Sequence, residues 1–175
     1  MYSSQGVPSG RYYPTAVGLT PEVQVEAIEI LNQTLASTID LWMQVKCSRW
    51  NVKGMHFFSL YQLFDTLAEQ LYRSIDLVGE RVVALGGQAL EPTQTMLVRS
   101  QIPQYPSELC TGKEHVTAMS RHVAVYAACL RNCIEIAEGL GEAGTADLYK
   151  EISRTTDQSL WLLEAHLQTC REDSQ

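Results

Sequence analysis

The chain has 175 residues, of which 45% are hydrophobic, 8% aromatic and 19% charged, a composition typical of one globular domain with a substantial core. Its formal net charge is −7 and its pI is near 5.0. This charge argues against a nucleic-acid partner, because phosphate binding needs a basic surface, and it suits a protein that attracts cations. The sequence contains no run of 18 apolar residues, so we expect no membrane-spanning helix.

The cysteines and the first residues together predict a cytoplasmic protein with reduced thiols. The count of five cysteines is odd and their positions are scattered, and no basic segment followed by an apolar one stands near residue 1. Cys129 and Cys133 are four residues apart and could share a ligand face with His122. A free cysteine is more often a small buried apolar residue, so both interpretations stay open.

The first half of the chain predicts a tail followed by two long helices. Residues 1–19 are rich in glycine, proline, serine and tyrosine, which is typical of a flexible tail. Thr20, Pro21 and Glu22 form a helix start, with a hydroxyl cap, a proline in the first turn and an acid near the positive end of the dipole. This helix should run to about Trp50. A second helix should run over about 57–85, and a glycine pair at 86–87 ends it.

The second half predicts a long connection and two more helices. Residues 88–112 contain three prolines and should form the connection, with a short helix around 95–100. A third helix should span about 113–140. Gly141 and Gly144 should break it, and Thr145 should cap a fourth helix over about 146–169. Four long helices without a strand pattern predict an all-α four-helix bundle over residues 20–170, followed by a short tail at 171–175.

The second helix carries two stripes when its residues are placed at about 100° intervals. One stripe is apolar and the other is polar, and their centres lie roughly 130° apart around the helix. The acids should therefore not point into the core of the bundle. The chain also contains no Glu-x-x-His motif of the kind that holds iron inside a bundle. The apolar stripe is Leu60, Phe64, Leu67, Leu71, Ile75, Val78, Val82 and Leu85, and the polar stripe is Tyr61, Asp65, Glu69, Tyr72, Asp76 and Glu80.

The segment from Lys46 to Gly87, which reads KCSRWNVKGMHFFSLYQLFDTLAEQLYRSIDLVGERVVALGG, resembles the signature of the Dps family, the miniferritins. The resemblance covers about residues 28–168. It implies a ferritin-like four-helix bundle that assembles into a hollow dodecamer, with iron (Fe²⁺ and Fe³⁺) and hydrogen peroxide as partners. It further implies metal sites between subunits, where ligands from the first two helices of one subunit meet acids from its neighbour. By this resemblance the retained ligands and catalytic residues are Asp65, Asp76 and Glu80, with Lys46 and Trp50 around the site.

Two positions depart from the family pattern. The family reads His-Trp-Asn-Val where this chain has Arg49 followed by Trp50, and it has a second histidine where this chain has Tyr61. An arginine has no lone pair for a metal, and its five donors suit carboxylates. We expect Arg49 to pair with Asp76 and Glu80 of a neighbouring subunit, or else to turn to solvent and leave an open, weaker site. Tyr61 should interact with a neighbouring carboxylate, for which Asp65 is one turn away.

The stretch 139–152 also resembles the family, in which it lies near a three-fold pore. Glu142, Asp147 and Glu151 could line a cation entrance there, or they could simply be acids in the first turns of a helix. The tails argue against DNA binding, because residues 1–19 contain one cation, Arg11, and residues 171–175 are net acidic.

The sequence thus predicts iron binding, oxidation and storage with protection against peroxide, which would make the protein a ferroxidase of reduced or atypical activity. The alternative is a structural or slow-storage shell in which Arg49 occupies the intersubunit metal site. A DNA-compacting protein is a third interpretation, which the charge disfavours.

Overall fold

The computed structural model describes residues 12–89 and 98–168 and contains four long helices and no strand in those ranges. We number them α1 (Pro21–Asn51), α2 (Phe57–Ala84), α3 (Gly112–Gly139) and α4 (Ala143–Ala165). Short turns join α1 to α2 and α3 to α4, so each pair forms an antiparallel hairpin. The hairpins pack α1 on α3 and α2 on α4. The predicted all-α bundle is confirmed, and no described helix has the length and apolarity needed to cross a bilayer.

The helix ends follow the capping chemistry of the sequence. The Thr20 hydroxyl accepts from the Val23 amide at the start of α1, and Pro21 follows it. Thr111 and Glu114 form a reciprocal capping box at the start of α3, with the Glu114 carboxylate 2.8 Å from the Thr111 amide. After α2, Gly86 adopts a φ of +80°, a left-handed conformation that favours glycine. The first three helices therefore begin and end within one residue of their predicted limits.

The start of α4 differs from the prediction. The helix begins three residues earlier, and its cap is Glu142 rather than Thr145, because the Glu142 carboxylate accepts from the amides of Gly144 and Thr145. Gly141, with a φ of +69°, lies in the turn before the cap, whereas Gly144 lies inside the first turn. The helix also ends at Ala165, earlier than the predicted residue 169.

The core confirms the two stripes of α2. Seven of the eight predicted apolar positions are buried, and Ile75 is half-buried. The core also contains hydroxyl pairs between α1 and the second hairpin. The Thr38 and Tyr126 hydroxyls are 2.7 Å apart, and those of Thr34 and Tyr149 are 3.0 Å apart. These pairs satisfy polar groups that burial would otherwise leave without a partner.

The connection before α3 is tied to α1. The Ser100 hydroxyl donates to Asp40, and the Gln101 amide donates to the Ser37 hydroxyl. Of the predicted short helix around 95–100, only residues 98–99 are described as helical, and 90–97 lie outside the described residues. The predicted tails at 1–19 and 171–175 also lie largely outside them. Within the first tail, the Tyr13 amide donates to the Gly86 carbonyl at 2.7 Å.

Candidate metal centre

The last turn of α1 and the first turns of α2 bring three predicted residues together. Arg49 lies two residues before the end of α1, and Tyr61 and Asp65 lie one turn apart on α2. The Arg49 Nε is 2.6 Å from Asp65 Oδ1, Nη2 donates to the Tyr61 hydroxyl, and Cζ lies 4.1 Å from the centre of the Tyr61 ring. The guanidinium therefore makes an ion pair, a hydrogen bond and a cation–π contact within one chain.

Of the two arrangements predicted for Arg49, the structure contradicts the one in which the side chain turns to solvent. It is only 17% exposed and pairs with Asp65 of its own chain, and a further pair with Asp76 and Glu80 of a neighbouring subunit stays a prediction. The Nε proton is not aligned on an acceptor, which makes the contact with Asp65 a charge pair rather than a directed hydrogen bond. Tyr61 and Asp65 do not bond to each other as expected, because both converge on Arg49.

Asp76 and Glu80 lie further along α2 and are exposed. Neither makes an ion pair or a side-chain hydrogen bond within the described residues, and both border an open groove of about 560 Å³. The apolar side chains that line this groove come from α1, from α2 and from the segment after α2: Leu35, Ile39, Ile75, Val83 and Ala89. The prediction that these acids face away from the core is confirmed.

One chain cannot unite all three predicted ligands on a single ion. Asp65 and Asp76 are eleven residues apart on the same α-helix, which separates them by about 16 Å along its axis. Consistently, no group of three metal-ligating side chains occurs among residues 12–89 and 98–168. A centre that uses Asp65 together with Asp76 and Glu80 therefore needs a second copy of α2 running the other way.

Lys46 and Trp50, the predicted surroundings, lie on the same outer side of α1. The Lys46 Nζ is 6.0 Å from the centre of the Trp50 ring, and Trp50 is more than half exposed. Lys46 also lines a groove with Asp65 and Tyr72 that opens between α1 and α2. The outer face of this hairpin thus carries cationic, aromatic and acidic side chains together.

The predicted pore residues divide into two kinds. Glu142 is 4% exposed, and its carboxylate caps α4. Arg81 donates to the same carboxylate at 2.8 Å. Burial alone raises the pKa of Glu142, but the hydrogen bonds from Thr145 and Arg81 outweigh it and leave the pKa below its ordinary value. Its oxygens are therefore committed to structure in the described chain. Asp147 and Glu151 are exposed and one turn apart on α4.

The histidines and cysteines do not assemble into a site among the described residues. His122 Nδ1 is 2.7 Å from Gln44 Oε1, and the Cys133 thiol contacts the Thr34 hydroxyl. Burial lowers the pKa of His122 and raises those of Cys129 and Cys133, so these groups are neutral at pH 7. The proposed ligand face of His122 with the two cysteines is therefore not formed.

Sequence reasoning missed two features. The antiparallel hairpin could have predicted the Arg49 cluster, because residues 49 and 61 lie at similar distances from the turn at 52–56. The second missed feature is a buried polar set in which the Tyr105 hydroxyl joins Ser48 on α1 to His115 on α3. No sequence signal predicts that contact, since residue 105 stands in an irregular connection.

Comparisons with known proteins agree with the fold. The ferritin family model, described as a ferritin-like domain, matches residues 28–172. A DNA protection during starvation protein from Agrobacterium fabrum is 36% identical over 89% of this chain and 96% of its own length. Among solved structures, DpsC from Streptomyces coelicolor has a TM-score of 0.86 at 24% identity, covering 93% of this chain and 95% of its own. A Dps protein from Vibrio cholerae, titled a member of a superfamily of ferritin-like diiron-carboxylate proteins, has a TM-score of 0.82 at 23% identity over 88% of this chain and 96% of its own.

Proposed function

Because the chain belongs to the Dps family of ferritin-like proteins, we propose that it binds iron, oxidises it and keeps it as ferric mineral inside a homo-oligomeric shell. The family resemblance points to a dodecamer in the cytoplasm that protects against peroxide. Ferrous iron is the substrate of this reaction and ferric mineral is its product.

The exposed pair Asp76 and Glu80 is the observation that carries this proposal. Carboxylate oxygens suit iron, and their negative charge favours the ferric product over the ferrous reactant. Both side chains lack a partner within the described residues, and they lie one turn apart beside an apolar groove. A second copy of the chain covering this groove would bury the pair and bring its own Asp65 to it.

The Arg49 cluster gives the proposed centre an asymmetric charge. Asp65 is already paired with a guanidinium, so its negative charge is neutralised before any metal arrives. Asp76 and Glu80 have no such cationic partner within the described residues, so neither of their negative charges is neutralised there. We propose that iron is held mainly by these two acids and that oxidation is slow, because the chain lacks the two imidazoles that the family pattern supplies.

The docked guanidinium also favours a second candidate function. If Arg49 excludes metal from the interface completely, the protein is a structural or slow-storage shell without ferroxidase activity. One relative is named a DNA protection during starvation protein, but DNA compaction by this chain is disfavoured by its net charge of −7.

The test is the initial rate of peroxide-driven ferrous oxidation by the assembled protein. We compare the wild type with an Asp76→Ala, Glu80→Ala variant and with a matched Glu22→Ala, Glu26→Ala control. The control removes two exposed carboxylates with the same four-residue spacing from the start of α1.

We expect the first variant to fall to the rate of iron in buffer and the control to keep the wild-type rate. Equal loss in both variants would mean that overall negative charge, and not this pair, drives oxidation. A wild type no faster than buffer would favour the inactive shell.

A further inference from the structure

Tyr105 occupies an unusual position in the connection before α3. Its hydroxyl is 2.9 Å from Ser48 Oγ and 2.5 Å from His115 Nδ1. Its ring stacks on the imidazole with 6.3 Å between the centroids and an interplanar angle of 22°. Ser48 and His115 are fully buried, at 0% and 1% exposure, whereas Tyr105 itself is half-buried. The phenol therefore joins two buried groups, and the tyrosine itself is partly exposed.

The other tyrosines in the described ranges lack such a partner. The Tyr126 and Tyr149 hydroxyls meet only threonine or thiol groups, and Tyr61 accepts from Arg49, whose side chain has donors only. Tyr12, Tyr13 and Tyr72 make no hydrogen bond through their hydroxyls. Among the described tyrosines, Tyr105 is thus the one whose phenol is bonded to a side chain that can take up a proton.

The imidazole of His115 is suited to that task. Desolvation lowers its pKa, although the nearby Glu114 carboxylate partly offsets this, so the ring is neutral at pH 7. Its Nε2 is buried and has no hydrogen-bond partner. When the proton of the neutral ring is on Nε2, the Nδ1 lone pair accepts from Tyr105. A positioned base of this kind matters because a phenol that loses an electron becomes strongly acidic.

We propose that Tyr105 is a redox-active tyrosine that quenches one-electron oxidants, with His115 as the base that receives its proton. When ferrous iron gives peroxide a single electron, the products are hydroxide and a hydroxyl radical. The radical takes one electron from Tyr105 and becomes hydroxide, while the phenolic O–H bond breaks and its proton moves to His115 Nδ1.

The product of this step is stabilised where it forms. The phenoxyl oxygen can only accept hydrogen bonds, and two donors are available to it: the imidazolium Nδ1–H and the Ser48 hydroxyl. The Ser48 hydroxyl can turn its proton from the Gln44 carbonyl to the phenoxyl oxygen. A low-molecular-weight thiolate later returns an electron and becomes a thiyl radical, and His115 returns the proton. The step uses no residue of the metal centre, so it stands whether or not iron is oxidised there.

The experiment generates the oxidant without iron. Photochemically produced tris(bipyridine)ruthenium(III) oxidises the assembled full-length protein, and electron paramagnetic resonance detects the tyrosyl radical. We expect Tyr105→Phe to remove most of the signal and Tyr126→Phe, the matched control, to retain it. His115→Asn keeps a hydrogen-bonding group near Nδ1 without a base, and it should slow radical formation on the order of 10²-fold, the usual contribution of a positioned base.

Two measurements use only the wild-type protein and so do not depend on whether the variants fold. Radical formation should slow in D₂O, and a nitroso spin trap should be found by mass spectrometry on the peptide that carries Tyr105. The proposal is overturned if the trap maps to Trp50 or to another tyrosine. It is also overturned if folded Tyr105→Phe keeps the full signal, or if folded His115→Asn reacts at the wild-type rate; a merely structural role would change stability alone.

Discussion

Replacing both Arg49 and Tyr61 by histidine should make the Asp65 carboxylate, which is now paired with the guanidinium, available to a metal. The change frees the Asp65 carboxylate and adds two neutral imidazoles that can donate lone pairs to a metal. We expect tighter ferrous binding and faster oxidation than in the wild type. The fold should tolerate the change, because partly exposed ion pairs contribute only about 0–1 kcal/mol to stability.

The structure sets the size of the gain. Arg49 Nε lies 2.6 Å from Asp65 Oδ1. A metal–carboxylate bond is about 2 Å long, so a metal on Asp65 would lie within about 5 Å of the guanidinium charge. At the effective dielectric of about 20 that suits partly exposed groups, this costs about 3 kcal/mol per unit of metal charge. Removal of the cation alone should therefore raise affinity at least about 10²-fold.

Stopped-flow absorbance of ferric iron measures the rate, and titration calorimetry with Co²⁺ measures affinity without oxidation. Arg49→Lys and Tyr61→His are the matched controls, because each leaves a cation beside Asp65, and neither should gain. If Arg49→Lys binds metal as well as the double variant does, repulsion by the guanidinium is not what closes the site. If the double variant gains nothing, the carboxylate frame has lost its geometry.

Three further predictions concern stability. Glu142→Gln should lower the melting temperature at pH 7, by about 2–4 °C for each kcal/mol of folding stability lost. Because folding lowers the pKa of this carboxyl, the difference in stability between variant and wild type should vanish as the pH falls through and below the ordinary glutamate range. Thr38→Val should leave the buried Tyr126 hydroxyl unpaired and cost about 1–3 kcal/mol in urea unfolding, whereas Thr38→Ser should cost less. Gly86→Ala should cost at least about 1–2 kcal/mol in the same assay because of its positive φ, whereas Gly139→Ala, which meets open space, should be near neutral. Equal effects at the two glycines would contradict the backbone argument.

The sequence predicted helix limits well where local chemistry determines them. Thr20 and Thr111 cap through contacts within three residues, so a short window contains the whole signal. The start of α4 was misplaced because its cap depends on a distant group. Arg81 on α2 lies against Gly144 where a side chain would otherwise sit, and it holds the Glu142 carboxylate in position for the cap. No window around residue 142 contains that information.

The candidate site shows the same division. The outward direction of Asp76 and Glu80 follows from helical periodicity alone, and the structure confirms it. The partner of Arg49 does not follow, because it depends on how the turn at 52–56 aligns the two helices. Within one chain, this alignment brings Asp65 to Arg49, and the two side chains form an ion pair.

The interior of the bundle limits where iron chemistry can occur at all. Two pairs of threonine and tyrosine hydroxyls occupy its centre, and no group of three metal-ligating side chains occurs among residues 12–89 and 98–168. Burial raises the pKa of Tyr126 and Tyr149, so neither phenol offers a negative oxygen to a cation. An iron site at these paired hydroxyls would have to break them without gaining a carboxylate. The outer acids of α2 therefore have no substitute at these pairs, and their removal should abolish the proposed ferrous oxidation rather than reduce it.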